Sequence, residues 1–311
     1  MIIFASALRE RRAYRDHAGP GVERAREGDS EVFAIASAGS ICGDYNLILD
    51  QVAERDGLEA LVLVDEDTEI ADPDFCAKVR RALADPDVGL VGCAGATGVE
   101  SVAWWAARVS AGPVTYRYSE YGGGEIDTFA ATRAGSPPAE VDTVAGYLLV
   151  LSPWAARTLR FDEELAIGVG FDLDFALRLR QAGRKVVTAE LRVIRHKTLK
   201  VVEDLDVWVE GHIDLADKWD GRLPGAPPRP ADWKERARLA EAERDAARAH
   251  AYSHYSLLDA SVAPLERRLA AMTDTFGWRL TAPLRALNAL RRGDATRRER
   301  DEPRRARPRT G

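Results

Sequence analysis

The chain has 311 residues, of which 46% are hydrophobic and 30% charged, and its net charge is −6 at neutral pH. This length suits one large domain with an appendage, or two small domains, and it allows a sizeable buried core. The body of the chain is acidic whereas its C-terminal residues are rich in arginine, and an acidic body argues against a main domain that binds nucleic acid.

Cysteine usage and hydropathy indicate where the protein works. Cys42, Cys76 and Cys93 are scattered, with neither metal-ligand spacing nor a disulfide framework. This pattern favours a reducing cytoplasm and three buried, small apolar side chains. The start of the chain lacks the pattern of a signal peptide, and no stretch approaches the roughly 20 apolar residues of a membrane span. We therefore expect a cytoplasmic protein.

The first part of the chain alternates predicted strands and helices. Continuous apolar runs predict four strands, and apolar residues at helical spacing predict two helices, the second with Asp72 as its cap and Pro73 in its first turn. The strands cover 2–8, 31–38, 60–67 and 88–95, and the helices cover 44–56 and 72–85. This alternation predicts a parallel, doubly wound α/β sheet, which binds ligands at the carboxyl ends of its strands.

The second part is less regular. Residues 96–140 show no clear period and predict a long functional loop or a small insertion with two strands. We then predict a core strand and a helix start within 142–153, a helix at 171–183 and strands within 185–196. The predicted domains are an α/β domain (1–225), a Pro-rich linker (226–232), a helical extension (233–292) and a disordered basic tail (293–311).

Asp65, Glu66 and Asp67 end the most apolar predicted strand. Two carboxylates spaced i, i+2 at a strand end can both face a ligand crevice, and oxygen ligands suit Mg²⁺ or Mn²⁺. Such a clamp would serve the diphosphate and ribose of a nucleotide. Taken alone, the tripeptide is more often a solvated loop.

Two further features carry possible chemistry. Asp172 and Asp174 lie at the start of a predicted helix, where a carboxylate serves either as an ordinary cap or as a general base. His196 ends a predicted strand, where it is either a bystander or a third metal ligand. Trp104 and Trp105 lie in the irregular region and either fill the core or stack on a sugar ring.

In this order, the features resemble family-2-like glycosyltransferases, which have the nucleotide-sugar-binding GT-A fold. The resemblance runs from about Glu31 to Pro224. It is carried by the strand that ends in DED, by His196, and by the segments VGLVGCAG, VDTVAGYLLVLS, RFDEELAIGVGFDLDFALRLRQAG and KWDGRLP. It implies a GT-A-like, doubly wound mixed sheet flanked by helices, with a C-terminal helical extension.

The resemblance also implies a role for each residue. Asp67 would be the main ligand of a divalent metal, Mn²⁺ or Mg²⁺, with His196 as a further ligand. Asp65 would contact the metal or the ribose, and Glu66 would lie beside the donor. Asp172 matches the Asp of the family's Glu-Asp base motif, but Phe171 replaces the Glu, so the choice between Asp172 and Asp174 stays open. The remaining assignments are Asp142 near the donor sugar and acceptor, Asp44 or Asn46 near the nucleotide, and Trp104 and Trp105 at the acceptor.

The expected reaction moves a sugar from a nucleoside-diphosphate sugar to a hydroxyl acceptor, by a single displacement with inversion. The acceptor would be a glycan or lipid-linked glycan of surface polysaccharide synthesis. The segment 275–292 predicts a basic amphipathic helix that lies on the inner face of a membrane or docks on protein. Two alternatives stay open: a nucleotidyltransferase that forms nucleotide-sugars, and a non-catalytic carbohydrate- or nucleotide-binding scaffold.

Overall fold

A computed structural model describes residues 1–118, 125–127, 133–135, 137–165, 170–197 and 205–225, with five single residues beyond them: Arg267, Arg268, Ala271, Thr275 and Thr281. The chain divides into two compact units, Met1–Arg229 and Pro230–Gly311. Apart from those five residues, the predicted linker (226–232), helical extension (233–292, with the helix at 275–292) and basic tail (293–311) lie outside the described residues. Their boundaries stay predictions.

The strands of the first unit are mostly short. In chain order they are β1 (Ile2–Leu8), β2 (Glu31–Ala36), β3 (Ala60–Val64), β4 (Thr68–Ile70), β5 (Val88–Gly92), β6 (Ala94–Thr97), β7 (Arg108–Ala111), β8 (Val114–Tyr118), β9 (Glu125–Asp127), β10 (Arg133–Gly135), β11 (Ala139–Val141), β12 (Thr143–Val144), β13 (Leu148–Leu151), β14 (Lys185–Thr188) and β15 (Val193–Lys197).

The helices flank these strands. They are α1 (Arg11–Ala13), which runs through a π-helical turn (Tyr14–Ala18) into α2 (Gly19–Ala25), then α3 (Ile41–Val52), α4 (Phe75–Ala82), α5 (Pro153–Thr158), α6 (Phe171–Gln181) and α7 (Leu205–Lys218). A single 3₁₀ turn also occurs at Trp104–Ala106.

The main sheet has seven strands in the order β11-β14-β5-β13-β3-β1-β2. β1 is parallel to β2 and β3, whereas β13 runs antiparallel between β3 and β5. β1, β3 and β13 are buried on both faces, because helices and loops cover the sheet from both sides and form two apolar clusters. The sequence-based prediction of a mixed α/β sheet flanked by helices matches this arrangement.

Two small sheets lie beside the main sheet, in the orders β4-β15-β8-β9 and β10-β7-β6-β12. Because β4 follows β3 after only three residues and pairs antiparallel with β15, Asp65–Asp67 lie beside the end of β15. Four of these eight strands, β7 to β10, come from 96–140, so the prediction of a loop or a two-strand insertion there was wrong. Strands of three to five residues are too short to give a readable period.

Three local predictions were also incomplete. The cap of α4 is Asp74, whereas the Asp72 carboxylate accepts hydrogen bonds from the backbone N–H groups of Asp74 and Arg192 and from Lys78. The helices between Leu8 and Ala25 were missed because Gly19 and Pro20 interrupt the apolar spacing. α7 was missed because glycine in a helix interior weakens the helical signal, and Gly211 lies within it.

Two predictions about burial and hydropathy can be compared with the structure. Cys42, Cys76 and Cys93 are free and buried, as expected. In the part of the chain that the structure describes, no helix combines the length and the apolar character needed to cross a membrane.

Candidate functional site

The carboxyl end of β3 is the meeting point of three segments. Because β13 starts beside this end, the Asp65 N–H donates to the Tyr147 carbonyl at 3.0 Å. One residue earlier, the Gly146 N–H donates to Asp172 Oδ2 at 2.9 Å. The structure therefore brings the Asp65–Asp67 turn and the amino end of α6 to the same edge of the sheet, although they are far apart in sequence.

Asp65 and Asp67 converge on one buried cation. Arg195 Nη2 lies 3.3 Å from Asp65 Oδ2 and 3.1 Å from Asp67 Oδ1. The side chain of Arg195 is only 5% exposed, and its guanidinium lies 4.4 Å from the centre of the Tyr147 ring. The other oxygen of Asp67, Oδ2, lies 2.6 Å from Lys197 Nζ. Two carboxylates thus face two cations that come from one strand, β15.

Nearby cations keep Asp65 ionised. Packing against the protein opposes ionisation of Asp65, but Arg195, Lys197 and Arg9 outweigh that effect and hold the pKa of Asp65 below its ordinary value. Asp65 therefore carries its negative charge throughout the physiological pH range.

Glu66 faces another way. Its Oε2 accepts a hydrogen bond from the backbone N–H of Glu10 at 2.9 Å, which ties the end of β3 to the end of β1. Partial burial raises the pKa of Glu66. The predicted donor contact of Glu66 stays a prediction, and in this structure the side chain links two strand ends.

His196 lies on the opposite face of β15 from the acid pair. Side chains alternate along a strand, and Arg195 and Lys197 on either side of it both contact Asp67. The His196 ring instead places Nε2 2.8 Å from Glu69 Oε2 and stacks on His17 at 3.7 Å between ring centres. A role for His196 as a metal ligand stays a prediction, and it requires the end of β15 to rearrange.

The pair Asp65 and Asp67 could hold a divalent cation whose remaining ligands come from a bound substrate and water. Among the described residues, no group of three or more His, Cys, Asp or Glu side chains is arranged to hold a metal ion. However, Asp65 and Asp67 already converge on one cationic nitrogen, Arg195 Nη2. Mg²⁺-like ions are commonly held by one or two carboxylates together with substrate phosphates and water, and this pair provides such a partial site.

Asp172 lies against the turn that precedes β13. It lies in the first turn of α6, where Oδ1 accepts from the Leu173 N–H and Oδ2 accepts from the Gly146 N–H, both at 2.9 Å. Removal from water raises its pKa. Gly146 allows this approach, because a Cβ there would lie 2.6 Å from the Phe171 ring and 3.1 Å from Asp172 Cβ.

Asp174 has a different environment. It is fully buried, and its carboxylate contacts Arg178 at 2.8 Å, Lys218 at 2.6 Å and Trp219 Nε1 at 2.9 Å. Arg178 lies one turn further along α6, whereas Lys218 and Trp219 fix the end of α7 against α6. The choice between Asp172 and Asp174 as the base therefore stays a prediction, with Asp174 the more deeply buried of the two and balanced by two cations.

The other predicted acidic and amide residues also make internal contacts. Asp142 accepts hydrogen bonds from the backbone N–H groups of Gly98 and Val99 and lies 3.3 Å from Arg180. Asp44 accepts from Ser37 and from the Ala38 N–H, and so orders the loop after β2. Asn46 exchanges hydrogen bonds with the Phe161 backbone and binds Glu163. Their predicted donor or acceptor contacts stay predictions.

The two adjacent tryptophans divide between core and surface. Trp104 is buried in the apolar core, whereas Trp105 is 43% exposed. The ring of Trp105 stands edge-on to His212 of α7 at 6.4 Å. Trp105 is therefore exposed beside α7.

The comparison with protein families covers this whole site. A sequence model of the family described as "Glycosyltransferase like family" matches residues 22–209, a span that includes Asp65, Asp67, Asp172 and Arg195. The chain belongs to this family. The resemblance to family-2-like glycosyltransferases that the motifs indicated is thereby confirmed.

One curated protein is similar to part of the chain. The streptomycin biosynthesis protein StrF of Streptomyces griseus is 29% identical to this chain over 180 residues. The alignment covers 57% of this chain and 59% of StrF, so the chain spans about 59% of the length of the curated relative that it matches.

Two solved structures are similar to this chain at low sequence identity. GalNAc-T7 with UDP, GalNAc and Mn²⁺ has a TM-score of 0.50 and 11% identity, covering 71% of this chain and 48% of that one. Mannosyltransferase PcManGT from Pyrobaculum calidifontis, in complex with GDP-Man and Mn²⁺, has a TM-score of 0.44 and 15% identity, covering 92% and 83%. The likeness to GalNAc-T7 confirms the predicted GT-A-like mixed α/β fold.

Several residues of this glycosyltransferase's site were missed by the sequence analysis. Arg195 and Lys197 flank the predicted His196, and a strict two-residue alternation along β15 would have placed them together on one face. His212, Lys218 and Trp219 gave no local signal, because their contacts depend on how α7 packs across α6.

Proposed function

We propose that this glycosyltransferase moves a sugar from a nucleoside-diphosphate sugar to an acceptor hydroxyl, by one inverting displacement with Mn²⁺ or Mg²⁺. One observation carries the proposal. The Asp65–Asp67 pair, which converges on a cation, and Asp172, whose pKa is raised, lie at the same sheet edge and are linked through Gly146 and Tyr147.

The acid pair would bind the donor side. Asp65 and Asp67 would hold a divalent cation against the donor diphosphate, with Asp67 as the main ligand. A bound cation of this kind neutralises negative charge on the departing diphosphate. The Mn²⁺ and UDP named with GalNAc-T7 support this choice of cofactor and donor class, since the two chains share the fold.

Asp172 would act as the general base. Its carboxylate takes the proton of the acceptor hydroxyl as that oxygen bonds to the anomeric carbon, while the bond from that carbon to the diphosphate oxygen breaks. A raised pKa makes the carboxylate a stronger base, and it still has to be ionised at the working pH. Asp174 is less suited, because Arg178, Lys218 and Trp219 already occupy its oxygens.

The acceptor side would lie near Trp105. Its exposed ring offers a face on which a sugar can stack, and it stands edge-on to His212 of α7. We propose a glycan or lipid-linked glycan of surface polysaccharide synthesis as the acceptor. The relative named for streptomycin biosynthesis favours a second candidate for the acceptor, a hydroxyl of a small glycosylated metabolite.

We also propose a cytoplasmic location, with 275–292 contacting the membrane's inner face or protein.

Turnover of a panel of nucleotide-sugars tests the proposal. The purified full chain is incubated with each donor and Mn²⁺, Mg²⁺ or EDTA, and released nucleoside diphosphate is measured. Release from one donor that requires metal, and that falls by about a hundredfold in Asp67→Ala, is the expected result. Asp85→Ala is the matched control, because Asp85 pairs with Lys185 on the surface. If no donor is turned over and none binds in calorimetry with metal present, the enzyme assignment fails.

A further inference from the structure

Lys197 occupies a position on Asp67 that a donor-bound cation also needs. Its Nζ lies 2.6 Å from Asp67 Oδ2, while Arg195 contacts the other oxygen at 3.1 Å. Two negative charges, from Asp65 and Asp67, therefore face two positive charges of the same chain. With its charge already balanced, the acid pair attracts a free divalent cation less than two bare carboxylates would.

The two cations differ in their freedom to move. Arg195 is 5% exposed and lies over the Tyr147 ring, so it is fixed beneath the acid pair. Lys197 is 36% exposed and ends β15, and its ammonium sits on a flexible stem. If one of the two cations leaves the acid pair when a ligand binds, it is Lys197.

We infer that Lys197 is an internal counter-cation that leaves Asp67 for the donor diphosphate when a divalent cation and a nucleoside diphosphate bind together. This inference rests on the proposed function, because it takes the acid pair as the donor site. It makes binding cooperative: the cation alone meets a neutralised site, and the nucleotide brings both the missing oxygen ligands and a new partner for the Lys197 ammonium.

Replacement of Lys197 by methionine separates its effect on the binding of Mn²⁺ alone from its effect on the binding of a nucleoside diphosphate. Lys197→Met keeps an unbranched apolar stem and removes the charge. Mn²⁺ binding to the full chain is measured by the loss of the free Mn²⁺ electron-spin-resonance signal, and binding of UDP, GDP and dTDP with Mn²⁺ is measured by calorimetry. We expect the variant to bind Mn²⁺ alone about fivefold more tightly, because a partly exposed pair is worth up to about 1 kcal/mol. We expect it to bind the preferred nucleoside diphosphate about tenfold more weakly, because a charge-assisted contact to phosphate is lost.

Lys185→Met is the matched control. Lys185 is 40% exposed and lies 2.7 Å from Asp85, so it resembles Lys197 in exposure and pairing but lies outside the site. Both affinities should stay at the wild-type level in this variant. The inference is overturned if Lys197→Met leaves the Mn²⁺ affinity unchanged, or if it shifts the affinities for Mn²⁺ and for the nucleoside diphosphate in the same direction. In either case the proposed function stands as long as the wild-type protein binds a nucleoside diphosphate with Mn²⁺. Failure of the wild type to bind any of the three nucleotides with Mn²⁺ overturns both.

Discussion

Two pairs of acids in this molecule share the spacing i, i+2, but only one pair has both carboxylates directed at the same partner. Asp65 and Asp67 lie in the turn after β3 and contact the same nitrogen of Arg195. Asp172 and Asp174 lie in the first turn of α6, where two residues correspond to a rotation of about 200° around the axis. Asp172 therefore faces Gly146 and the site, whereas Asp174 faces Arg178 and the residues after α7.

The comparison shows that spacing has a chemical meaning only together with local backbone geometry. In the turn, the shared spacing makes a clamp, because both carboxylates reach one cation. In the helix, it directs one carboxylate to Gly146 and the other to Arg178 and Lys218. Gly170, with φ at +66°, is the cap residue from which α6 begins.

The largest expected effect comes from neutralising the site-facing acid of α6. Asp172→Asn should lower the transfer rate by roughly a hundred- to ten-thousand-fold, because a general base contributes about that much. Its free energy of unfolding at neutral pH should change little, because two effects oppose each other. Above the raised pKa of Asp172 the folded protein holds the ionised carboxylate at a cost, which asparagine removes. Asparagine has only one acceptor oxygen, however, so one of the two backbone hydrogen bonds from Leu173 and Gly146 is lost. The transfer rate and urea unfolding are measured on the same preparation.

The pH dependence of the wild-type rate gives a second readout of Asp172. The base must be ionised, so the rate should fall as the pH drops through its pKa, and that pKa should lie above the ordinary value for aspartate. A rate that stays flat down to the ordinary aspartate range, or an Asp172→Asn variant with near wild-type activity, would assign the base to another group.

The same substitution at the inward-facing acid should act on stability. Asp174→Asn removes the buried counter-charge that Arg178 and Lys218 share, although Lys218 keeps its contact with Asp162, and should lower the free energy of unfolding by about 3 kcal/mol through the loss of charge-assisted hydrogen bonds. At a temperature where the variant stays folded, it should keep far more activity than Asp172→Asn. Loss of activity with unchanged unfolding would reverse the roles of the two acids.

Much of this arrangement was predictable from the sequence, and the rest depended on contacts that are distant along the chain. The run Ala60–Val64 followed by acids indicated a buried strand that ends at a ligand edge, and the structure has that strand there. The roles of Asp172 and Asp174 could not be separated, because the phase of a helix at its first turn depends on its cap. The partners that distinguish them, Lys218 and Trp219, lie more than forty residues further on.

At β15 the limit was of another kind. The sequence indicates His196 as a candidate site residue, because imidazole binds metals, but the predicted site did not include its neighbours Arg195 and Lys197. Their contacts with Asp67 show that charge complementarity to the acid pair was the more informative pattern. Period-2 alternation then places His196 on the face that carries Glu69, and that consequence could have been drawn from the sequence.

The smallest expected effect follows from this placement. His196→Gln should change the affinity for Mn²⁺ with a nucleoside diphosphate by less than about twofold, because the ring lies across the strand from the acid pair and a weak surface contact is worth little. Loss of the stacking contact with His17 should cost about 1 kcal/mol of stability at most. Calorimetry of the variant beside Asp67→Ala measures the difference. An affinity loss comparable to that of Asp67→Ala would show that the end of β15 rearranges when the donor binds and brings His196 to the acid pair. The alternation of side chains along β15 in the donor-free protein would then not describe the donor-bound site.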